Sequence, residues 1–206
     1  MHVYERLRLH PERPQIRQIR RAAELLRQGM FAIVPTETTY SMMVIPEALD
    51  AQNKIRQVRR LDKSHLWALV CSDLSQAAQY VSIDNIAHRT LKRYLPGPFT
   101  FILPANSNLS KRVFGKRRDV GIRIPDSLIC QMLLEELGTP LLATSMRFPD
   151  EELVPTDPDH LHERLKHLGC VLLDAGWSCG VVPTTVIDLC DETPQLLRQG
   201  LGEWME

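Results

Sequence analysis

The sequence predicts an α/β protein, a mixed twisted β-sheet flanked by helices. Two patterns carry that expectation. Helical stripes and short apolar runs alternate along the whole chain, with at least six strands among them. The last strands arrive without long helices between them, which favours a mixed sheet over a purely parallel one. At 206 residues, 44% hydrophobic and 24% charged, the chain suits one buried core, so residues 1–206 are expected to form a single domain.

The elements follow in order. Ile16, Ile19, Ala23 and Leu26 share one helical stripe, and Gly29 is placed to stop it. Phe31-Ala32-Ile33-Val34 reads as a buried strand. A second helix is predicted over 46–60, turning Ala51, Ile55 and Val58 inward, with a strand over 66–71. Ser82 or Asp84 is suited to cap a helix that runs towards Leu95 and stops at Pro96-Gly97-Pro98. Strands are predicted at 99–103 and 120–124. Ser127 caps a helix over 128–137, closed by Gly138. A strand follows at 140–145. Asp157-Pro158 supplies a cap and a first-turn proline for a helix that ends by Gly169. Strands at 170–173, 185–189 and 195–198 complete the chain. The longest break, 148–156, reads as a surface connection, with a lid as the alternative.

Composition excludes several classes. No window holds 18 consecutive apolar residues, so no transmembrane helix and no membrane partner are expected. Met1-His2-Val3-Tyr4-Glu5-Arg6 carries charge where a signal peptide needs its apolar run. Five cysteines are scattered without a CxxC pair, which suits a reduced, cytoplasmic setting. The net charge of zero hides an asymmetry: residues 1–123 hold 21 Lys and Arg against 10 Asp and Glu, and residues 124–206 hold 4 against 15. The dense basic groups are Lys54, Arg56, Arg59, Arg60 and Lys63, then Lys111, Arg112, Lys116, Arg117, Arg118 and Arg123. On one face they would attract phosphates; otherwise they are a solvated surface.

No GxxxxGK[ST], GxGxxG or GxSxG motif is present. His160, His162 and His167 share a helix at spacings that do not make a metal cage, so no metal site is expected. Three polar segments lie at strand ends, where open α/β sheets bind ligands. Pro35-Thr36-Glu37-Thr38-Thr39-Tyr40 offers four hydroxyls; its other reading is a turn that caps a helix. In Gly121-Ile122-Arg123-Ile124-Pro125 a guanidinium interrupts an apolar run and suits a carboxylate or phosphate; its other reading is an exposed edge position. Ala143-Thr144-Ser145 ends an apolar strand in hydroxyls.

Together these segments resemble the YrdC/YciO family, the L-threonylcarbamoyl-AMP synthases and their relatives. Residues 35–40 look like its PTETxYG opening, Leu95-Pro96-Gly97-Pro98-Phe99-Thr100-Phe101 like its LPGPxTF segment, and 121–125 like its VRxP strand. Thr144-Ser145 falls on its TSxN motif, Pro183-Thr184-Thr185-Val186-Ile187-Asp188 on its STVVD strand, and Leu197-Arg198-Gln199-Gly200 on its LRxG. The chain looks closest to the YciO branch. The resemblance implies the YrdC/RibB-like twisted sheet with a positively charged concave face. In the synthases that face takes ATP, with Mg2+ on the nucleotide, together with threonine and bicarbonate; the product feeds modification of tRNA at adenosine 37. It further implies Thr36, Tyr40, Arg123 and Thr185 as substrate-binding residues. Arg59, Lys63, His65, Ser145, Arg147, Thr184 and Arg198 would serve the nucleotide.

The chain also departs from the family pattern. Ser41-Met42-Met43 stands where the synthases have Gly-Leu-Gly, Leu61 where KxR has its arginine, and Arg147 where TSxN has its asparagine. The alternative expectation is therefore a non-catalytic module that holds double-stranded RNA or tRNA in the same basic cleft. A ligand sensor without an RNA partner is the third.

Overall fold

A computed structural model describes residues 3–62, 65–108, 118–176, 180–191 and 193–205. In chain order the elements are β1 (Glu5–Arg8), α1 (Ile16–Arg27), β2 (Phe31–Val34), β3 (Ser41–Val44), α2 (Leu49–Arg59), β4 (Ala68–Val70), α3 (Leu74–Ala77) and α4 (Asn85–Tyr94). Then come β5 (Phe99–Pro104), β6 (Asp119–Arg123), α5 (Leu128–Leu137), β7 (Leu141–Ser145), α6 (Pro158–Leu165), β8 (Cys170–Asp174), β9 (Thr185–Asp188) and β10 (Gln195–Arg198).

Local chemistry sets the helix starts. Asp84 accepts from Ala87 N at 2.7 Å, which assigns the cap of α4 to Asp84 rather than Ser82. Ser127 caps α5 and Gly138 ends it at φ 70°. Asp157 caps α6, with Pro158 in its first turn. α2 begins at Leu49, later than predicted, because Ala48 N bonds back to Ile45 O and makes a turn of 45–48. Gln52 Nε2 then donates to Pro46 O at 2.6 Å.

Three elements were not anticipated: β1, β3 and α3. β1 is too charged to read as a strand. It is held at the sheet edge by parallel pairing with β8 and by Arg6, which reaches Asp174 and Asp159 at 2.7 Å each. β3 is Ser41-Met42-Met43-Val44, wholly buried, and it closes an antiparallel hairpin with β2. The predicted 148–156 break is pinned against α6. Arg164 pairs with Asp150 and Glu151, and its guanidinium lies 4.3 Å from the Phe148 ring centroid. It is a connection.

All ten strands join one mixed sheet of order β1-β8-β2-β3-β7-β4-β6-β5-β9-β10. Alternation along each strand splits the side chains into two cores. On one face Phe31, Ile33, Met42, Leu69, Phe101, Ile122 and Ile187 pack under α2, α3, α4 and α6. On the other, Ala32, Val34, Met43, Val70 and Val171 pack under α1 and α5. That second core stops at β4. Over β6, β5, β9 and β10 no described helix covers the face, so among the described residues half of one sheet surface lacks a helical layer.

Candidate functional site

Strand register builds the open face. Phe101 pairs with Ile122 and with Ile187, and all three turn into the aromatic core. Their neighbours alternate outwards. Thr100 pairs with Val186, Val186 pairs with Arg198, and Arg123 follows Ile122 at the end of β6. A concavity of about 330 Å³ lies here, lined by Trp67, Ala68, Thr100, Ile102, Gly121, Val186 and Arg198, with Asp119 and Asp188 on its wall. A Cβ on Gly121 would stand 3.1 Å from Thr100 Cγ2, so the glycine keeps the floor clear.

The β2–β3 connection forms the adjoining wall. Thr36 Oγ1 donates to Thr39 O at 2.6 Å and accepts from the backbone N–H groups of Thr38 and Thr39 at 3.3 Å. The hydroxyls thus fold their own loop instead of capping a helix. Ser127 Oγ donates to Pro35 O at 3.0 Å, tying the loop to the start of α5. Gly180 packs so close that a Cβ would lie 2.7 Å from Thr38 O.

Arg123 reaches into this loop with its side chain 7% exposed. Its Nη2 donates towards Glu37 Oε1 at 3.1 Å, Thr38 Oγ1 at 3.1 Å and Thr36 Oγ1 at 3.4 Å. Arg123 Nε and Glu37 Oε2 are buried and have no partner among the described residues. Burial pushes the Glu37 carboxyl above its ordinary value, and this outweighs the downward pull of Arg123.

Across the face, Arg198 grips Thr184. Its Nη2 donates to Thr184 O at 2.8 Å and to Thr184 Oγ1 at 3.2 Å, and Thr184 Oγ1 lies 2.8 Å from Thr100 Oγ1. Burial and the charge of Arg123 both lower the Arg198 pKa, so the two guanidiniums share one electrostatic field.

The nucleotide candidates gather beyond β7. Ser145 pairs with Ser41 across the β7–β3 ladder, and Met146 N donates to Tyr40 O at 2.7 Å. The exit of the 35–40 loop therefore meets the end of β7. His65 Nε2 is 3.1 Å from Thr144 Oγ1 and sits edge-on to Trp67. Arg59 Nη1 donates to Arg147 O at 2.9 Å. Burial first, then the Arg147 charge, lower the Arg59 pKa, and its Nε is buried without a partner among the described residues. Arg147 is exposed. Lys63, with Lys111, Arg112, Lys116 and Arg117, lies outside the described residues.

Two candidates turn away from the open face. Tyr40 is fully buried and donates to Gly176 O at 3.1 Å. Thr185, also fully buried, donates to Gly202 O at 2.5 Å and accepts from Gly200 N at 2.9 Å, which anchors the C-terminal segment. Their hydroxyls are taken up by backbone. Sequence reasoning missed Glu37 and Thr100 as site residues, and had Thr38 only as one of the four hydroxyls of its segment. The signal for Thr100 was its alternation with Phe99 and Phe101; Glu37 had none beyond its place in the motif. Among the described residues no group of three or more His, Cys, Asp or Glu could hold a metal ion. No described helix is long and apolar enough to cross a membrane.

Comparison with known proteins gives the family and the fold. The Sua5/YciO/YrdC family model, described as "Telomere recombination", matches residues 24–200. The uncharacterized protein YciO of Escherichia coli K12 is 38% identical over 196 residues, 95% of each chain. A threonylcarbamoyl-AMP synthase of Bacillus subtilis is 32% identical over 89% of this chain, which spans 53% of that enzyme. Among solved structures, E. coli YciO superposes with a TM-score of 0.86 at 36% identity over 98% of both chains. P. abyssi Sua5 complexed with L-threonine gives 0.82 at 27% identity, over 96% of this chain and 57% of that one. Matched along most of its length by the family model, and sharing its fold with YciO and Sua5, the chain belongs to the Sua5/YciO/YrdC family.

Proposed function

We propose that the open face binds an amino-acid carboxylate at Arg123 and a nucleotide's phosphates beside Arg59, Arg147 and Arg198, as a threonylcarbamoyl-AMP synthase does. The observation that carries it is a buried arginine at a strand end, ringed by Thr36, Glu37 and Thr38 and facing a second guanidinium across a sheet face that no described helix covers. Kinship with synthases, and with a Sua5 crystallised with L-threonine, supports the choice of amino acid.

In that reaction the threonine nitrogen joins the carbon of bicarbonate with loss of water. The new carboxyl oxygen then attacks the α-phosphorus of ATP, and pyrophosphate leaves with the bond's electron pair. The chain's part is positional and electrostatic. Arg123 holds the carboxylate, Thr184 and Ser145 supply hydroxyls, and the cations offset charge on the phosphates. Mg2+ would come with the nucleotide, whose phosphate oxygens are hard ligands suited to it, and would offset phosphate charge there. The buried free thiols of Cys71, Cys130 and Cys170 fit a reducing cytoplasm.

A second reading, double-stranded RNA or tRNA held in the same cleft, is favoured by Arg59 and Arg147, which stand together with no ion pair to an acid among the described residues. One assay separates the two. With ATP, threonine, bicarbonate and Mg2+, pyrophosphate release is expected, falling about 100-fold or more in Arg123→Ala. Release no greater than in that variant would sink the synthase reading. Steeply salt-dependent RNA binding by the same preparation would then favour the second.

A further inference from the structure

We propose that Glu37 occupies the position on Arg123 that a ligand's carboxylate takes, so that the site admits a ligand able to exchange for a carboxylate. The inference rests on the reading that Arg123 receives the ligand, and it assigns Glu37 a role in specificity.

The geometry of the pair is the first argument. A structural Arg–Glu pair gains most from two parallel hydrogen bonds. Here a single oxygen meets a single nitrogen at 3.1 Å, while Arg123 Nε and Glu37 Oε2 stay buried and without partners among the described residues. Each of those atoms carries a desolvation penalty that a better-seated carboxylate would relieve.

The second argument is the count of acceptors. Glu37, Thr36 and Thr38 all converge on Nη2, which has two hydrogens. Glu37 can therefore leave without stranding that nitrogen, because the threonines remain.

The third is charge. Arg123 and Arg198 act on each other across the face, yet Glu37 is the acid paired with Arg123 in this wall. A ligand bearing both a carboxylate and a phosphate would match the two guanidiniums better than Glu37 does alone. Besides Arg123 and the two threonines, Glu37 meets its own backbone N–H, which moves with it, while Asp126, after β6, repels it and Cys130, on α5, carries a thiol that burial pushes up.

Calorimetry with L-threonine tests this on the native chain, Glu37→Gln and Arg123→Ala. Glutamine keeps an acceptor oxygen at the same reach and removes the competing charge. Glu37→Gln is expected to bind L-threonine about tenfold more tightly, and L-threoninamide, which lacks the carboxylate, no more tightly than the native chain does. Equal or weaker binding of L-threonine by Glu37→Gln would mean that Glu37 only positions Arg123, and would overturn the proposal while the reading of Arg123 stands. Unchanged binding by Arg123→Ala, or no binding by any of the three, would remove that reading and the inference with it. If Glu37→Gln does not fold, a crystal structure of the native chain with L-threonine decides. Glu37 still hydrogen-bonded to Arg123 Nη2 beside bound threonine would refute the exchange.

Discussion

Glu37 is a carboxyl under two opposed influences. Burial favours its neutral form and the Arg123 guanidinium favours its anion; burial prevails, and the folded pKa lies above the ordinary 4.5. A group raised in this way contributes stability that is full below the unfolded value and is lost as pH rises through the folded one. A glutamine at this position cannot ionise, so Glu37→Gln escapes that loss. The melting-temperature difference, variant minus native, is expected to move in the variant's favour as pH rises from below 4.5 through the folded value, then level off. A difference that does not change with pH would show that Glu37 titrates as it does in the unfolded chain. Residue chemistry was only partly legible beforehand: Arg123 stood out because a charge interrupts an apolar run, whereas its partner across 86 positions of sequence left no such mark.

Elements were more legible than their contents, because caps are local chemistry. Ser127 and Gly138 bound α5 at the predicted residues, and β10 spans the predicted 195–198. Ser127 has two duties, since its hydroxyl accepts from Cys130 N and donates to Pro35 O. Ser127→Ala is expected to cost about 1 kcal/mol in denaturant unfolding, with an unchanged m-value because the buried surface is the same. A loss within experimental error would mean that solvent replaces both bonds. β1 and β3 escaped detection for different reasons. The charges of Glu5, Arg6 and Arg8 hide a strand that ion pairs hold at an edge. The methionines of β3 have no strong β preference, and tertiary burial alone decides their conformation.

At the scale of the molecule, the decisive feature is a sheet that the described helices cover on both faces over one half and on one face over the other. Leu172, in β8, is fully buried between the two layers, whereas Ile102, in β5, is half-buried on the open face. Leu172→Ala is expected to cost about 2–5 kcal/mol. Ile102→Ala should cost below about 2 kcal/mol, because less apolar surface leaves water there on folding. Equal losses by chemical denaturation would mean that something covers the face. The same asymmetry places Thr100, Gly121, Val186 and Arg198 on one concavity although they come from four strands.

What the sequence determined by itself was the α/β class, most helix limits, the family and the strand ends that carry polar residues. Each of these rests on periodicity, capping or a short motif, which neighbouring residues encode. Tertiary structure decided which face lies open, that Thr185 and Tyr40 spend their hydroxyls on backbone, and that Arg123 already holds a carboxylate. Those outcomes depend on strand register and on which helices cover which face, and both are set by contacts between residues far apart in the chain.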